Sequence, residues 1–398
     1  MPGFEIFGDE ERKEVQDVLD SGVLFRYGFD AKRNGNWKVK LFEDEFAHFT
    51  GSKHCLLVSS GTTALATAMA AAGIGYGDEV IVPPFTFVAT VEGVLNAGSV
   101  PIFAEIDNTL CLDPEKLENF IGNKTKAIVV VHMCGAMAQI DKIKEIADRH
   151  NLVLLEDACQ ATGAFFNGKS AGSFGTAGCF SFDSVKTISC GEGGGIITND
   201  DELYAKADQY HDHGHDHIGN DRGKESHPII GMNYRNTELN AAVGLAQLRK
   251  INRILEIQKR NAQIIKDTLR KFDIVELRHI PSDDADSCTF VNFLLPDENT
   301  ARIVAQKLND NGADGTFYWY DNNWHYLKNW HHFKNMDFPM RIAQSNLEYF
   351  PDYNKISLPQ SDNIISRTIS MLVKLSWTEE QISKRCSIIE QTIKEIDC

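Results

Sequence analysis

Leu152-Val153-Leu154-Leu155-Glu156-Asp157-Ala158-Cys159-Gln160 is the stretch that decides the fold of this chain. Four aliphatic residues with no polar break, followed by two carboxylates, read as a strand buried on both faces that ends in an acid pair. Strands buried on both faces belong to mainly parallel sheets covered by helices, and such sheets bind ligands beyond the carboxyl ends of their strands. One of the two acids is therefore a candidate cofactor ligand, and Gln160, three residues past Asp157, can aim an amide at the same group. Taken alone, Asp157 also reads as an ordinary helix-capping aspartate.

Outward from this strand, apolar runs at 55–58, 79–83, 100–105, 127–132, 178–182 and 195–198 alternate with helical patterns at 62–72, 86–97 and 140–150. That alternation is the signature of βαβ units. An amphipathic pattern over 237–272 predicts one long helix able to hinge two domains. Beyond it come strand-like runs at 274–277 and 287–295, a helix at 300–309, an aromatic segment at 317–320 and a closing helix at 378–396. The chain divides into a large α/β domain, 1–250, and a smaller α+β domain, 251–398, as its length of 398 residues suggests.

Two further segments carry chemistry. Ser59-Ser60-Gly61-Thr62-Thr63 joins a strand to a helix, where small residues let backbone N–H groups and hydroxyls meet an anion; a plain Ser N-cap is the competing reading. Phe180-Ser181-Phe182-Asp183-Ser184-Val185-Lys186 leaves an apolar strand just before Gly191-Glu192-Gly193-Gly194-Gly195. Most lysines are solvated surface charges; one placed between a buried strand and a tight glycine turn is better aimed into a cleft, where its amine can form a Schiff base. The glycine run is not G-x-G-x-x-G, which counts against a nicotinamide-dependent sugar oxidoreductase or epimerase. A phosphate cup, an acid for a pyridinium nitrogen and a lysine together meet the needs of pyridoxal phosphate.

Composition narrows the field. Forty Lys and Arg against 56 Asp and Glu give a formal charge of −16, which disfavours a nucleic-acid partner. No apolar stretch is long enough to span a membrane, and the start lacks a signal-peptide pattern, so a cytoplasmic protein is expected. Nine cysteines stand singly with no C-x-x-C pair.

Read as a set, these segments resemble the DegT/DnrJ/EryC1/StrS sugar aminotransferases, fold-type I pyridoxal-phosphate enzymes with an aspartate aminotransferase-like fold. The markers are S-G-T-T-A-L from Ser60, G-D-E-V-I-V-P-P-F-T-F-V-A-T from Gly77, E-D-A-C-Q from Glu156, F-S-F-D-S-V-K from Phe180, G-E-G-G from Gly191 and G-M-N-Y-R from Gly231. The resemblance implies that Lys186 forms the Schiff base and moves the proton, and that Asp157 keeps the pyridine nitrogen protonated. It further implies that Gln160 meets the ring hydroxyl, Phe87 stacks on the ring, and Gly61, Thr62, Thr63 and Ser181 bind the phosphate. Asn233 would reach the phosphate of a neighbouring subunit, which implies a homodimer with shared sites. Some relatives are dehydratases with His in place of the lysine; Lys186 favours amine transfer, with pyridoxamine 5'-phosphate as the intermediate form.

Two segments depart from the commoner pattern. One is His211-Asp212-His213-Gly214-His215-Asp216-His217, followed by Asp221, Arg222 and His227. Alternating His and Asp can ligate metal, but amine transfer by this cofactor needs none, so a polar active-site or surface loop without metal is expected. The other is Gly22-Val23-Leu24-Phe25-Arg26-Tyr27-Gly28-Phe29, read as a loop packed by its aromatics with Arg26 available to a substrate carboxylate. Together they make the chain look like the branch of the family that converts the 8-oxo form of the sugar acid Kdo to its 8-amino form, with L-glutamate as donor and 2-oxoglutarate as product, for lipopolysaccharide. His215 and Tyr318 are further candidate sugar contacts, Tyr318 within an aromatic stretch that equally suits a domain core. A nucleotide-linked keto-sugar is the alternative acceptor. A catalytically silent regulatory protein on the same fold is the alternative of another class.

Overall fold

Alternation along the apolar strands sorts their side chains onto two faces, and each face recruits its own layer of helices. In the computed structural model, which describes residues 3–219, 221–339 and 348–397, nine strands form in the first half of the chain. They are β1 (His54–Val58), β2 (Glu79–Val82), β3 (Val100–Phe103), β4 (Thr125–Val131), β5 (Val153–Asp157), β6 (Phe165–Phe166), β7 (Lys169–Ser170), β8 (Ala177–Ser181) and β9 (Gly194–Thr198). All but the short β6–β7 hairpin join one seven-stranded sheet of order β1-β9-β8-β5-β4-β2-β3. Only β9 runs against the others, pairing antiparallel with β1 and β8.

Leu57, Ile128, Val130 and Leu154 face a core shared with helices Lys38–Thr50, Ile140–Arg149 and Glu238–Leu248. Leu56, Val58, Val129 and Leu155 face the opposite core, beneath helices Gly61–Ala71, Ala89–Asn96 and Asp201–Tyr210. The expected α/β/α layering is thus present, with strand bounds within about two residues of those read from sequence.

The pattern over 237–272 is not one helix. Thr237 caps helix Glu238–Leu248, the chain leaves helical geometry at Lys250 (φ −99°, ψ 3°), and a second helix runs Ile251–Leu269. The break has a packing cause. The first helix buries Ala241, Leu245 and Leu248 in the large core, whereas the second carries Ala262, Ile265 and Leu269 into a separate core. That second core lies on an antiparallel sheet of order β10-β11-β13-β12, formed by β10 (Glu276–Leu277), β11 (Phe290–Leu294), β12 (Thr316–Phe317) and β13 (Thr368–Leu372). Helices Glu298–Asp310 and Glu379–Asp397 complete it.

The smaller domain does not keep all of its residues to itself. Leu327, Trp330, Phe333, Tyr353 and Leu358 return to the large core, where Phe103 lies 6.4 Å from Trp330 and 6.0 Å from Tyr353 between ring centres. Buried Arg278 fastens the two parts further, donating to the carbonyls of Thr109 (2.7 Å) and Met133 (2.6 Å). No helix among the described residues is long and apolar enough to cross a membrane.

Candidate active site

The carboxyl ends of β1, β5 and β8 converge on a cleft lined by Gly61, Thr62, Phe87, Thr90, Asp157, Gln160, Ser181 and Lys186. At one end β1 turns into helix Gly61–Ala71. Ser60 and Thr63 form a reciprocal cap: Thr63 N–H donates to Ser60 Oγ (3.1 Å) and Ser60 N–H to Thr63 Oγ1 (2.9 Å). The amides of Gly61 and Thr62 find no such acceptor among the described residues and keep the partial positive charge of a helix start. A side chain at Gly61 would put Cβ 2.8 Å from that of Ser181, so glycine is what lets the helix start sit against β8. This cradle suits a phosphate.

Strand alternation separates the two acids of β5. Glu156 takes the face of Leu154, where its carboxylate accepts from the amides of Gly172 (2.9 Å), Phe174 (2.6 Å) and Gly175 (2.6 Å) and from His132 Nε2 (2.9 Å). All its capacity serves the turn before β8. Asp157 takes the face of the cleft, where Thr90 Oγ1 donates to Oδ2 (2.7 Å) and Cys159 N–H to Oδ1 (3.1 Å). Asp157 is 6% exposed and has no cationic partner among the described residues. Gln160 accepts from Cys134 N–H (3.0 Å), which leaves its NH₂ group for the cleft.

Lys186 rides on a closed loop. Phe182 N–H donates to Gly193 O (2.8 Å) and Cys190 N–H to Phe182 O (2.8 Å), so the loop's two ends are bonded together. Asn240 Nδ2 ties down Cys190 O (3.0 Å) and Glu192 O (2.9 Å), and Gly3 N–H reaches the carbonyl of Lys186 itself (3.0 Å). Lys186 Nζ has no hydrogen bond or ion pair among the described residues.

Beside the cleft, residues 324–327 pair with 84–88, through Thr86 N–H to His325 O (2.9 Å) and Val88 N–H to Trp324 O (3.0 Å). His325 sits between Trp319 (4.5 Å between ring centres) and Phe87 (5.4 Å). Burial and the charge of Lys186 push its imidazole down to about 4, so it is neutral. Nothing in the sequence marks Thr90 as the donor to Asp157.

Five of the expected contacts do not line this cleft; one is Thr63, whose N–H and hydroxyl both donate to Ser60. Arg26 is a correction: it is buried, donating to Glu43 Oε1 (2.9 Å) and Leu57 O (3.0 Å), so its guanidinium is not open to a substrate carboxylate. Tyr318 donates its hydroxyl to Ser366 O (2.7 Å) in the smaller domain, under Arg302. His215 pairs with Glu225 (2.8 Å) in the histidine-rich loop. Asn233 is exposed, its backbone bridged to Asp212. Among the described residues no group of three or more His, Cys, Asp or Glu is arranged to hold a metal ion.

The cleft fits pyridoxal phosphate on its own chemistry. A buried carboxylate without a cation is costly and calls for a positively charged partner, which a protonated ring nitrogen supplies. The open helix start receives a phosphate, and the unpaired Lys186 amine is free to bond. In agreement, the DegT/DnrJ/EryC1/StrS aminotransferase family matches the chain over residues 5–390. The chain is similar to a GDP-perosamine synthase of Vibrio cholerae, 40% identical over 261 residues that cover 65% of this chain and 68% of that protein. It is also similar to the spore coat polysaccharide biosynthesis protein SpsC of Bacillus subtilis (strain 168), 31% identical over 401 residues, 98% of this chain and 96% of that one. Among solved structures, an aminotransferase from Psychrobacter cryohalolentis has a TM-score of 0.85 at 28% identity, with 98% of each chain covered.

Proposed function

The chain belongs to the DegT/DnrJ/EryC1/StrS aminotransferase family, pyridoxal-phosphate enzymes of fold-type I, and from that premise we propose that it moves the amine of L-glutamate onto a sugar carbonyl, with the 8-oxo form of Kdo as acceptor. The observation that carries the transfer chemistry is the pairing, in one cleft, of a cation-free buried carboxylate, Asp157, with an unpaired amine, Lys186.

Bound pyridoxal phosphate supplies an electron sink that lets the amine leave one carbon and arrive on another. Asp157, steadied by Thr90, holds the ring nitrogen's proton, and Gln160 offers its NH₂ group to the ring hydroxyl. Gly61, Thr62 and Ser181 receive the phosphate, and Phe87 covers the ring. Lys186 Nζ takes the proton from the reacting carbon and returns it, a step its tethered loop keeps in register. Asn233, exposed beside the exposed apolar Ile230 and Met232, completes the phosphate site of a second copy in a homodimer.

Support for a sugar acid comes from the two segments that set this chain apart. Gly22 to Phe29 and the histidine-rich loop pack on each other, Tyr27 stacking on His217 at 4.5 Å between ring centres. A nucleotide-linked keto-sugar is the second reading, favoured by the likeness to a GDP-perosamine synthase. The test has two stages. The purified protein is expected to be yellow, with borohydride fixing the cofactor to Lys186; label on another lysine overturns the assignment. Product analysis with glutamate then compares 8-oxo-Kdo with nucleotide-linked 4-keto sugars, and amination of the latter alone replaces the acceptor named here.

A further inference from the structure

A short turn near the start of the chain touches the backbone of the cleft lysine. Gly3–Ile6 forms one 3₁₀ turn, in which Gly3 is buried. The Gly3 N–H donates to the carbonyl of Lys186 (3.0 Å), the one donor to that carbonyl among the described residues. Thr187, Ile188 and Ser189, which follow the lysine, are buried, whereas Ser184 and Val185, which precede it, are exposed.

The turn meets the loop too closely for any side chain at position 3. A Cβ on Gly3 would overlap Gln247 Oε1 and lie 2.6 Å from Thr187 O and 3.2 Å from Ile188 Cα. Gln247 can swing aside, but Thr187 O belongs to the backbone of the lysine's own loop. A methyl group there pushes the turn and the loop apart, and the bond to Lys186 is lost with the contact.

Two other anchors hold the same turn. Glu5 Oε2 accepts from Ser376 N–H (2.8 Å), just past β13 in the smaller domain. Ile6 O accepts from Lys250 Nζ (3.0 Å), at the break between helices Glu238–Leu248 and Ile251–Leu269. Lys250 is also paired with Glu11 (2.5 Å), on the helix Asp9–Ser21 that follows the turn. Residues 3–6 thus connect the smaller domain, the helix break and the peptide unit of Lys186.

We infer that residues 3–6 are a positioning strap for Lys186, with Gly3 holding the lysine's carbonyl and Glu5 and Ile6 tying that hold to the rest of the molecule. The bonded ends of the loop leave its middle held by an internal turn, Lys186 N–H to Asp183 O (3.0 Å), and by Gly3. An amine on a long side chain reaches a fixed partner only as well as its backbone is placed, and an error of about 1 Å can cost roughly a hundredfold. The inference rests on the reading of Lys186 as the Schiff-base lysine.

The two forms of the cofactor separate placement of the amine from general damage. Lys186 condenses with the aldehyde of pyridoxal phosphate with loss of water, whereas pyridoxamine 5'-phosphate has no aldehyde and binds without that bond. Affinities for both forms are measured on the full chain freed of cofactor, in the wild type and in Gly3→Ala, Glu5→Ala and Lys186→Ala. Gly3→Ala is expected to lose about ten- to a hundredfold for pyridoxal phosphate with little change for pyridoxamine 5'-phosphate, and to slow the glutamate half-reaction by a like factor. Glu5→Ala, which releases Ser376 without entering the loop, is expected to show the same pattern at about two- to fivefold, and it keeps the test open if Gly3→Ala does not fold. Adding Gly3→Ala to Lys186→Ala is expected to change neither affinity. Equal losses for the two forms, or wild-type values in both strap variants, overturn the inference. A preference for pyridoxal phosphate that survives Lys186→Ala strikes the Schiff-base reading, and the strap with it; one that Lys186→Ala abolishes and Gly3→Ala leaves intact strikes the strap alone.

Discussion

Thr90 Oγ1 donates a 2.7 Å hydrogen bond to Asp157 Oδ2 across the floor of the cleft, so the acid proposed to meet the cofactor is oriented by a residue from a different βα unit. Thr90→Val removes that donor and leaves the carboxylate one bond short. Turnover is expected to fall roughly tenfold. Asp157→Asn, which cannot balance a ring proton, is expected to cost roughly 10²- to 10³-fold. Steady-state kcat of the two variants checks the order; equal losses would sink the orienting role.

Glu156, one residue away, is expected to behave oppositely. Glu156→Gln turns an NH₂ group toward two of the four donors, either the Phe174 and Gly175 amides or the Gly172 amide and His132 Nε2, so about 1–3 kcal/mol of stability should be lost while the holoenzyme's kcat stays near wild type. Denaturant unfolding and kcat, measured side by side, distinguish the neighbours.

Gly61→Ala sets a methyl 2.8 Å from Ser181 Cβ. The helix start must back away from β8, at a cost of roughly 1–3 kcal/mol. Cofactor binding, followed by the visible absorbance retained through gel filtration, is expected to weaken with it.

The histidine-rich loop is expected to respond to pH in both directions. Burial opposes a charge on His217, but its bonds to Asp208 and Asp212 prevail and hold it up at about 9. The folded value lies above the unfolded one, near 6.5, so this contribution is complete below about 6.5 and is lost as pH rises through about 9. Burial, with Arg26 nearby, pushes His211 down to about 3. Its contribution is complete above about 6.5 and fades as pH falls toward about 3. Melting temperature against pH should show the alkaline decline in the wild type and a shallower one in His217→Gln; parallel curves would refute it.

Much of this was legible because it is local. Uninterrupted aliphatic runs gave the strands, and the order of cradle, acid and lysine gave the cleft. What escaped was non-local. Both halves of 237–272 are amphipathic, and only the existence of two cores explains the break at Lys250. Asp157 rather than Glu156 is singled out only by the family resemblance; the residues alone leave the acid pair of β5 open, because which acid faces the cleft depends on the sheet's two sides. Arg26 looked open because it lies in a loop and its partner, Glu43, lies on helix Lys38–Thr50.

The bonded ends of the Lys186 loop have a consequence for how the enzyme can change. With Phe182 joined to both Cys190 and Gly193, the segment between them is a ring whose circumference, counted in residues, sets how far the amine can reach. Substitutions around the ring are tolerable where side chains face solvent, as at Ser184 and Val185, whereas a one-residue insertion or deletion would swing the amine away from its target. The segment therefore behaves as a cassette: it could diverge in composition or be exchanged whole, but its length is not free to drift.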